Sequence, residues 1–201
     1  MKKNKKNLIF LTKFIDGDLQ ILKQSLFNHY NFIEPKNYKE ENICKLIKNA
    51  DVAVGNKITE KYIDSSDKLC FYQHTGSGID NINLDVFKNK DIIVSNTHSN
   101  SLYVAEYAIA LMFNLIKKIN IHDSLIRKGI WFHPNDFKDT SNYLSDTILR
   151  KNIGILGYGH IAKKIITFLK PYKNEIYVHR RIKNKNDLNK QIKFRTIDFI
   201  A

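Results

Sequence analysis

The segment from Asn152 to Leu169 constrains the fold more than any other part of the chain. A short apolar run, Asn152 to Leu156, leads directly into Gly157-Tyr158-Gly159-His160-Ile161-Ala162, and an amphipathic stretch continues to Leu169. That order predicts a strand, a glycine turn and a helix, the local arrangement of a dinucleotide-binding βαβ unit. Gly157 permits the tight turn, Gly159 lets backbone approach a pyrophosphate, and Ala162 allows the helix to pack closely on the strand. Unpaired N–H groups at the helix start then face the anion. Gly157, Tyr158, Gly159, His160 and Ile161 are therefore the candidate cofactor loop, with Ile161, Ile165, Phe168 and Leu169 expected on the inner side of the helix. The competing reading is a glycine turn in another kind of α/β sheet.

The next apolar run, Glu175 to Val178, ends in His179-Arg180-Arg181. An NAD site places an acidic residue near this point to accept hydrogen bonds from the ribose hydroxyls. Two guanidinium groups instead match a 2′-phosphate, so NADP is favoured within NAD(P), with Arg180 and Arg181 as candidate clamps. The alternative is a pair of surface arginines in a lysine-rich chain.

Upstream, short β-branched or apolar runs alternate with helical patterns. Strands are predicted at Leu8 to Thr12, Asn31 to Glu34, Asp51 to Val54, Leu69 to Gln73 and Asp91 to Ser95, and helices at Asp18 to Phe27 and Glu41 to Ile47. Strands separated by helices favour a parallel sheet covered on both faces, hence an α/β fold. The strongest helical signal runs from Ser101 to Ile119. It is apolar nearly all round, which predicts a buried helix. From Asn120 to Lys151 the pattern is mixed, with a helix near His122 to Lys128 and Trp131 in a loop as a packing residue.

Composition narrows the partners. Lysine and arginine number 33 against 20 acidic residues, a formal charge of +13, but the basic residues are spread along the whole chain and form no stripe or nucleic-acid motif. A solvated basic surface explains the charge, and no nucleic acid is expected. The most apolar run, Val104 to Ile116, contains Glu106 and Asn114 and is too short to span a bilayer, so no membrane is expected either. The lysine-rich start precedes an apolar stretch, Leu8 to Leu11, too short for a signal-peptide core, and a cytoplasmic protein is expected. Cys44 and Cys70 are too far apart for a metal-ligand pair, and His74 beyond Cys70 adds only a weak signal. No metal site and no disulfide are expected, and both thiols are read as buried and inert.

Taken together, several segments resemble the D-isomer-specific 2-hydroxyacid dehydrogenases. They are Gly76-Ser77-Gly78-Ile79-Asp80-Asn81-Ile82, Val94-Ser95-Asn96-Thr97, Val104-Ala105-Glu106 opening the long helix, Arg127, Gly129 and Trp131, and Gly154 to Ile161. The resemblance implies a flavodoxin-like substrate domain over 1–98, followed by the first part of a Rossmann coenzyme domain over 99–201. It implies that Ser77 and Gly78 offer backbone N–H groups to a substrate carboxylate, with Gly76 keeping the approach open. Successive loop amides forming an anion nest are sound chemistry in their own right. Asp80 and Asn81 would organise that loop, and Glu106 belongs to the signature without being the catalytic carboxylate. The chain departs from the family pattern at His98-Ser99, where Pro-Gly is usual, and at Ala162, which replaces the third glycine. His98 maps near the cleft, and a neutral loop histidine is the simpler reading.

The family reduces 2-oxo acids with an arginine, a histidine acid and a glutamate that belong to segments downstream of the region matched. No catalytic residue is therefore assigned in this chain. The expectation is a truncated chain, inactive alone, with exposed apolar surface and a bare sheet edge. The alternative is a noncatalytic cofactor-binding or oligomerising fragment. The implied partners are a small 2-oxo or 2-hydroxy acid and, in the full-length form, a second copy meeting through the long helix and the Trp131 segment.

Overall fold

The computed structural model describes residues 5–131, 133, 135, 140–180 and 192–194. The backbone separates into two compact units, 1–98 and 99–201. In the first, the chain runs β1 (Lys6–Phe10), α1 (Asp16–Leu26), β2 (Tyr30–Ile33), α2 (Glu40–Ile47), β3 (Val52–Gly55), α3 (Glu60–Asp64), β4 (Phe71–His74), α4 (Leu84–Asn89) and β5 (Ile93–Ser95). The five strands pair in the order β2-β1-β3-β4-β5, and every pairing is parallel.

A strand inside such a sheet buries both faces, which is why β1 is continuously apolar and buried over its last three residues, Leu8 to Phe10. Leu8 and Phe10 turn to one side, where Phe10 stacks on Phe32 at 5.9 Å and meets Phe14 edge-on at 5.4 Å. Ile9 turns to the other side and joins Ile43, Ile47, Ile63, Tyr72 and Phe87. Helices α3 and α4 leave no periodic signal in the sequence, because five and six residues are too short for a 3.6-residue period to register. The Thr59 hydroxyl nevertheless caps α3 by accepting from the Tyr62 N–H. Both cysteines are free, but Cys70 is exposed and Cys44 only half-buried, which corrects the expectation of two buried thiols.

The second unit contains α5 (Ser101–Lys117), α6 (Ile119–Arg127), β6 (Asn152–Leu156), α7 (His160–Leu169), a 3-10 turn (Lys170–Tyr172), β7 (Glu175–His179) and β8 (Ile192–Phe194). Its sheet has the order β6-β7-β8, again parallel throughout. A core of Ile148, Ile166, Leu169, Ile176 and Val178 lies under it. Lys118 takes a left-handed conformation with φ of 55°, which ends α5 and lets α6 start at once.

Two expectations about faces are corrected here. On α5, Ile109, Met112, Phe113 and Ile116 pack into the core, whereas Tyr103 (71% exposed), Tyr107, Leu111 and Leu115 (73%) form an exposed apolar stripe. The helix is therefore half-covered rather than buried. On α7 the buried residues are Ala162, Ile166 and Leu169, and Ile161 is 40% exposed, because its position in the first turn points away from the sheet. Among the described residues no helix is long and apolar enough to cross a membrane.

Candidate functional site

In a parallel α/β sheet the carboxyl ends of the strands are where ligands gather. At that edge of the first unit β4 ends in His74, and the chain turns through Thr75, Gly76, Ser77 and Gly78. Three hydrogen bonds hold the turn: the Thr75 N–H to Gly55 O at 3.0 Å, the Thr97 N–H to Gly76 O at 3.1 Å, and the Asn96 side-chain amide to Ser77 O at 2.7 Å. In a trans peptide the N–H opposes the C=O. Pinning the carbonyls of Gly76 and Ser77 toward the segment after β5 therefore turns the N–H groups of Ser77 and Gly78 away from it. Neither N–H bonds to another described residue. Asn96 is thus a positioning residue; in the sequence it stands within the signature segment Val94-Ser95-Asn96-Thr97 without a role assigned.

Behind the loop lies a small buried network. Tyr72, 0% exposed, donates its hydroxyl proton to the Gly55 carbonyl at 2.9 Å, and the same oxygen lies 3.0 Å from Nδ1 of His74. A carbonyl can only accept, so the phenolic proton is committed to Gly55 and the imidazole must donate from Nδ1. Burial pushes the Tyr72 phenol up to about 12, which keeps it neutral. Nε2 of His74 is left beside Gly76, where a Cβ would stand only 2.9 Å from it. Glycine at 76 therefore makes room for the imidazole. His74, Gly78, Asn56, Lys57, Asn81 and Asn83 share the wall of a cleft of about 720 Å³. Asp80 lies next to Gly78, and His98 is exposed and does not line this cleft.

In the second unit Gly157 sits at φ of 94°, a conformation that glycine adopts at no steric cost, and its N–H donates to His179 O at 2.7 Å. Gly159 is the residue before α7, and its carbonyl accepts from the Lys163 N–H at 3.1 Å. The N–H groups of Ile161 and Ala162, in the first turn, have no helical partner. A Cβ on Gly159 would meet nothing within 4 Å, so the fold leaves open space at the amino end of the helix. This is the space that a pyrophosphate would fill, and the loop fits that group. The Tyr158 ring carries two cations, with Lys163 Nζ at 5.3 Å and Arg180 Cζ at 5.9 Å from its centroid. Tyr158 thereby links the glycine loop to the end of β7, while His160 is exposed. Arg181 lies outside the described residues. Among the described residues no group of His, Cys, Asp and Glu could hold a metal ion.

The family model for the D-isomer specific 2-hydroxyacid dehydrogenase catalytic domain matches residues 8–196. The chain belongs to this family. It is similar to a D-3-phosphoglycerate dehydrogenase of Methanocaldococcus jannaschii, with 28% identity over 137 residues, covering 66% of this chain and 25% of that protein. It is also similar to a 2-ketogluconate reductase of Gluconobacter oxydans, with 29% identity over 157 residues, covering 75% of this chain and 47% of that protein. In three dimensions it resembles a glyoxylate reductase of Paecilomyes thermophila with a TM-score of 0.75 at 20% identity, a likeness of fold that covers 98% of this chain and 62% of that one. The chain thus spans about a quarter to a half of the curated relatives' length. Its two parallel sheets match the family's flavodoxin-like and Rossmann organisation.

Proposed function

We propose that the protein to which these residues belong is an NAD(P)-dependent oxidoreductase acting at C2 of a 2-hydroxy or 2-oxo acid. In this proposal the first unit is the substrate domain and the second begins the coenzyme domain. The observation that carries it is the pair of N–H groups at Ser77 and Gly78, turned outward by bonds to Asn96 and Thr97 and left without a partner among the described residues. Successive loop amides without a partner form a nest that can hold a carboxylate. The loop Gly157, Tyr158, Gly159, His160 and Ile161 would hold the cofactor pyrophosphate, and Arg180 and Arg181 would reach its 2′-phosphate. The bound nicotinamide supplies the hydride. Within these residues we assign binding and orientation only, and turnover to the whole protein.

The test is calorimetric titration of the 201-residue chain with NADPH and NADH. Binding of NADPH, lost in Gly159→Leu and weakened at least tenfold in Arg180→Ala, supports the proposal. Equal binding to Gly159→Leu overturns the cofactor site. A second reading, an oligomerising module, is favoured by the exposed stripe on α5 and is compatible with the first.

A further inference from the structure

The cofactor reading uses the backbone of the glycine loop and the Arg180 guanidinium, but it gives the Tyr158 ring no part. The register of the second sheet explains why this ring and that arginine meet. Leu156 at the end of β6 stands opposite His179 at the end of β7, and the Gly157 N–H donates to His179 O at 2.7 Å. Neighbouring strands lie about 4.8 Å apart. The residues that follow, Tyr158 and Arg180, therefore leave the carboxyl edge of the sheet side by side. The Tyr158 ring is half-buried and packs against the apolar core of the second unit. Arg180 Cζ lies 5.9 Å from its centroid and Lys163 Nζ 5.3 Å. The ring is neutral, so it gathers the two positive charges without cancelling either.

We propose that Tyr158 is a positioning residue for the cofactor: its ring holds the Arg180 guanidinium beside the glycine loop and, through Arg180, sets a preference for NADPH over NADH. This rests on the cofactor reading above and supplies the reason its arginine can select. A free arginine side chain samples many rotamers, and closing on a phosphate costs that freedom. A guanidinium already lying on an aromatic plane loses less, and this plane is fixed by its packing in the core. The attraction uses the face of the ring and not the hydroxyl. Phenylalanine can therefore replace the tyrosine, and leucine cannot. NADH carries no 2′-phosphate for the guanidinium to grip, so the ring acts on one nucleotide alone. The Lys163 ammonium adds to the field that draws a phosphate but lacks the planar fork that binds it bidentately.

The 201-residue chain and its variants are titrated calorimetrically with NADPH and with NADH, and the ratio of the two dissociation constants is read. Tyr158→Leu should reduce the NADPH preference roughly fivefold while NADH binding stays within about twofold of wild type, and Tyr158→Phe should retain the preference. In an Arg180→Ala background Tyr158→Leu should change the ratio by less than about twofold, because the ring acts through that guanidinium. An equal loss of both nucleotides in Tyr158→Leu means that the ring only shapes the loop, and it overturns the positioning role. So does an effect of Tyr158→Leu that is undiminished without Arg180, or a preference lost in Tyr158→Phe. If Arg180→Ala lowers the preference and Tyr158→Leu does not, the positioning role is overturned and the arginine clamp stands. If the wild type binds both nucleotides equally, clamp and positioning role fall together and the glycine loop stands. If it binds neither, the cofactor reading falls with them.

Discussion

Glycines at 76 and 159 look alike in the sequence and are opposite in consequence. A Cβ at Gly76 would press on the His74 ring at 2.9 Å, whereas at Gly159 it would meet nothing within 4 Å. Gly76→Ala should therefore destabilise the chain by about 1–3 kcal/mol, as overpacking does. Gly159→Leu should leave the unfolding free energy from urea titration within about 0.5 kcal/mol of wild type, the range of most surface changes, while removing nucleotide binding. Tyr72 offers a pH test. Its folded pKa is raised from 10.0 to about 12, so its contribution is complete below pH 10 and is lost as pH rises toward 12. In Tyr72→Phe that alkaline loss should disappear, and at neutral pH the missing bond to Gly55 and the unpaired His74 Nδ1–H should cost about 1–3 kcal/mol by denaturant titration. Neither role could be read in the sequence, because the Tyr72–Gly55 bond joins residues 17 positions apart.

At the level of elements, α5 shows how a single helix can be read correctly in place and wrongly in burial. Its core-facing residues Ile109, Met112, Phe113 and Ile116 recur at helical spacing, yet the stripe Tyr103, Tyr107, Leu111 and Leu115 is equally apolar and remains uncovered. An exposed apolar stripe of this kind marks an interaction surface. If two copies meet there, as we propose, Leu111→Lys combined with Leu115→Lys should lower the mass found by sedimentation velocity to that of one chain without changing the helical circular dichroism. A second test concerns the junction of α5 and α6, where Lys118 holds a left-handed backbone at a steric cost. Lys118→Gly should raise stability by roughly 0.5–1 kcal/mol, measured by thermal unfolding, because glycine adopts that conformation without steric cost.

For the whole molecule, ligand linkage gives the broadest prediction. A cofactor that binds only the folded state at a hundred times its dissociation constant adds about 2.7 kcal/mol, so NADPH should raise the thermal midpoint by several degrees and NADH by less. Equal shifts would argue against the arginine clamp. The periodicities that placed β1 to β7, α1, α2 and α7 arise from residues close in sequence, and so the α/β alternation and the glycine loop are legible in the order of residues alone. Boundaries moved by a few residues where capping or hydrogen bonding overrode the apolar pattern, as at Lys118. The alternation alone predicted a parallel sheet, but the order β2-β1-β3-β4-β5 is a matter of pairing between distant strands. The sequence by itself determined which segments could be strands, helices and an anion-binding turn, because those depend on local periodicity and backbone freedom. Only the tertiary structure decided which face of α5 stays bare, and that Tyr72 holds Nδ1 of His74 while Gly76 makes room for the other side of the ring. The first outcome depends on what packs against α5 and the second on groups brought together from β3 and β4, whose proximity no local pattern records.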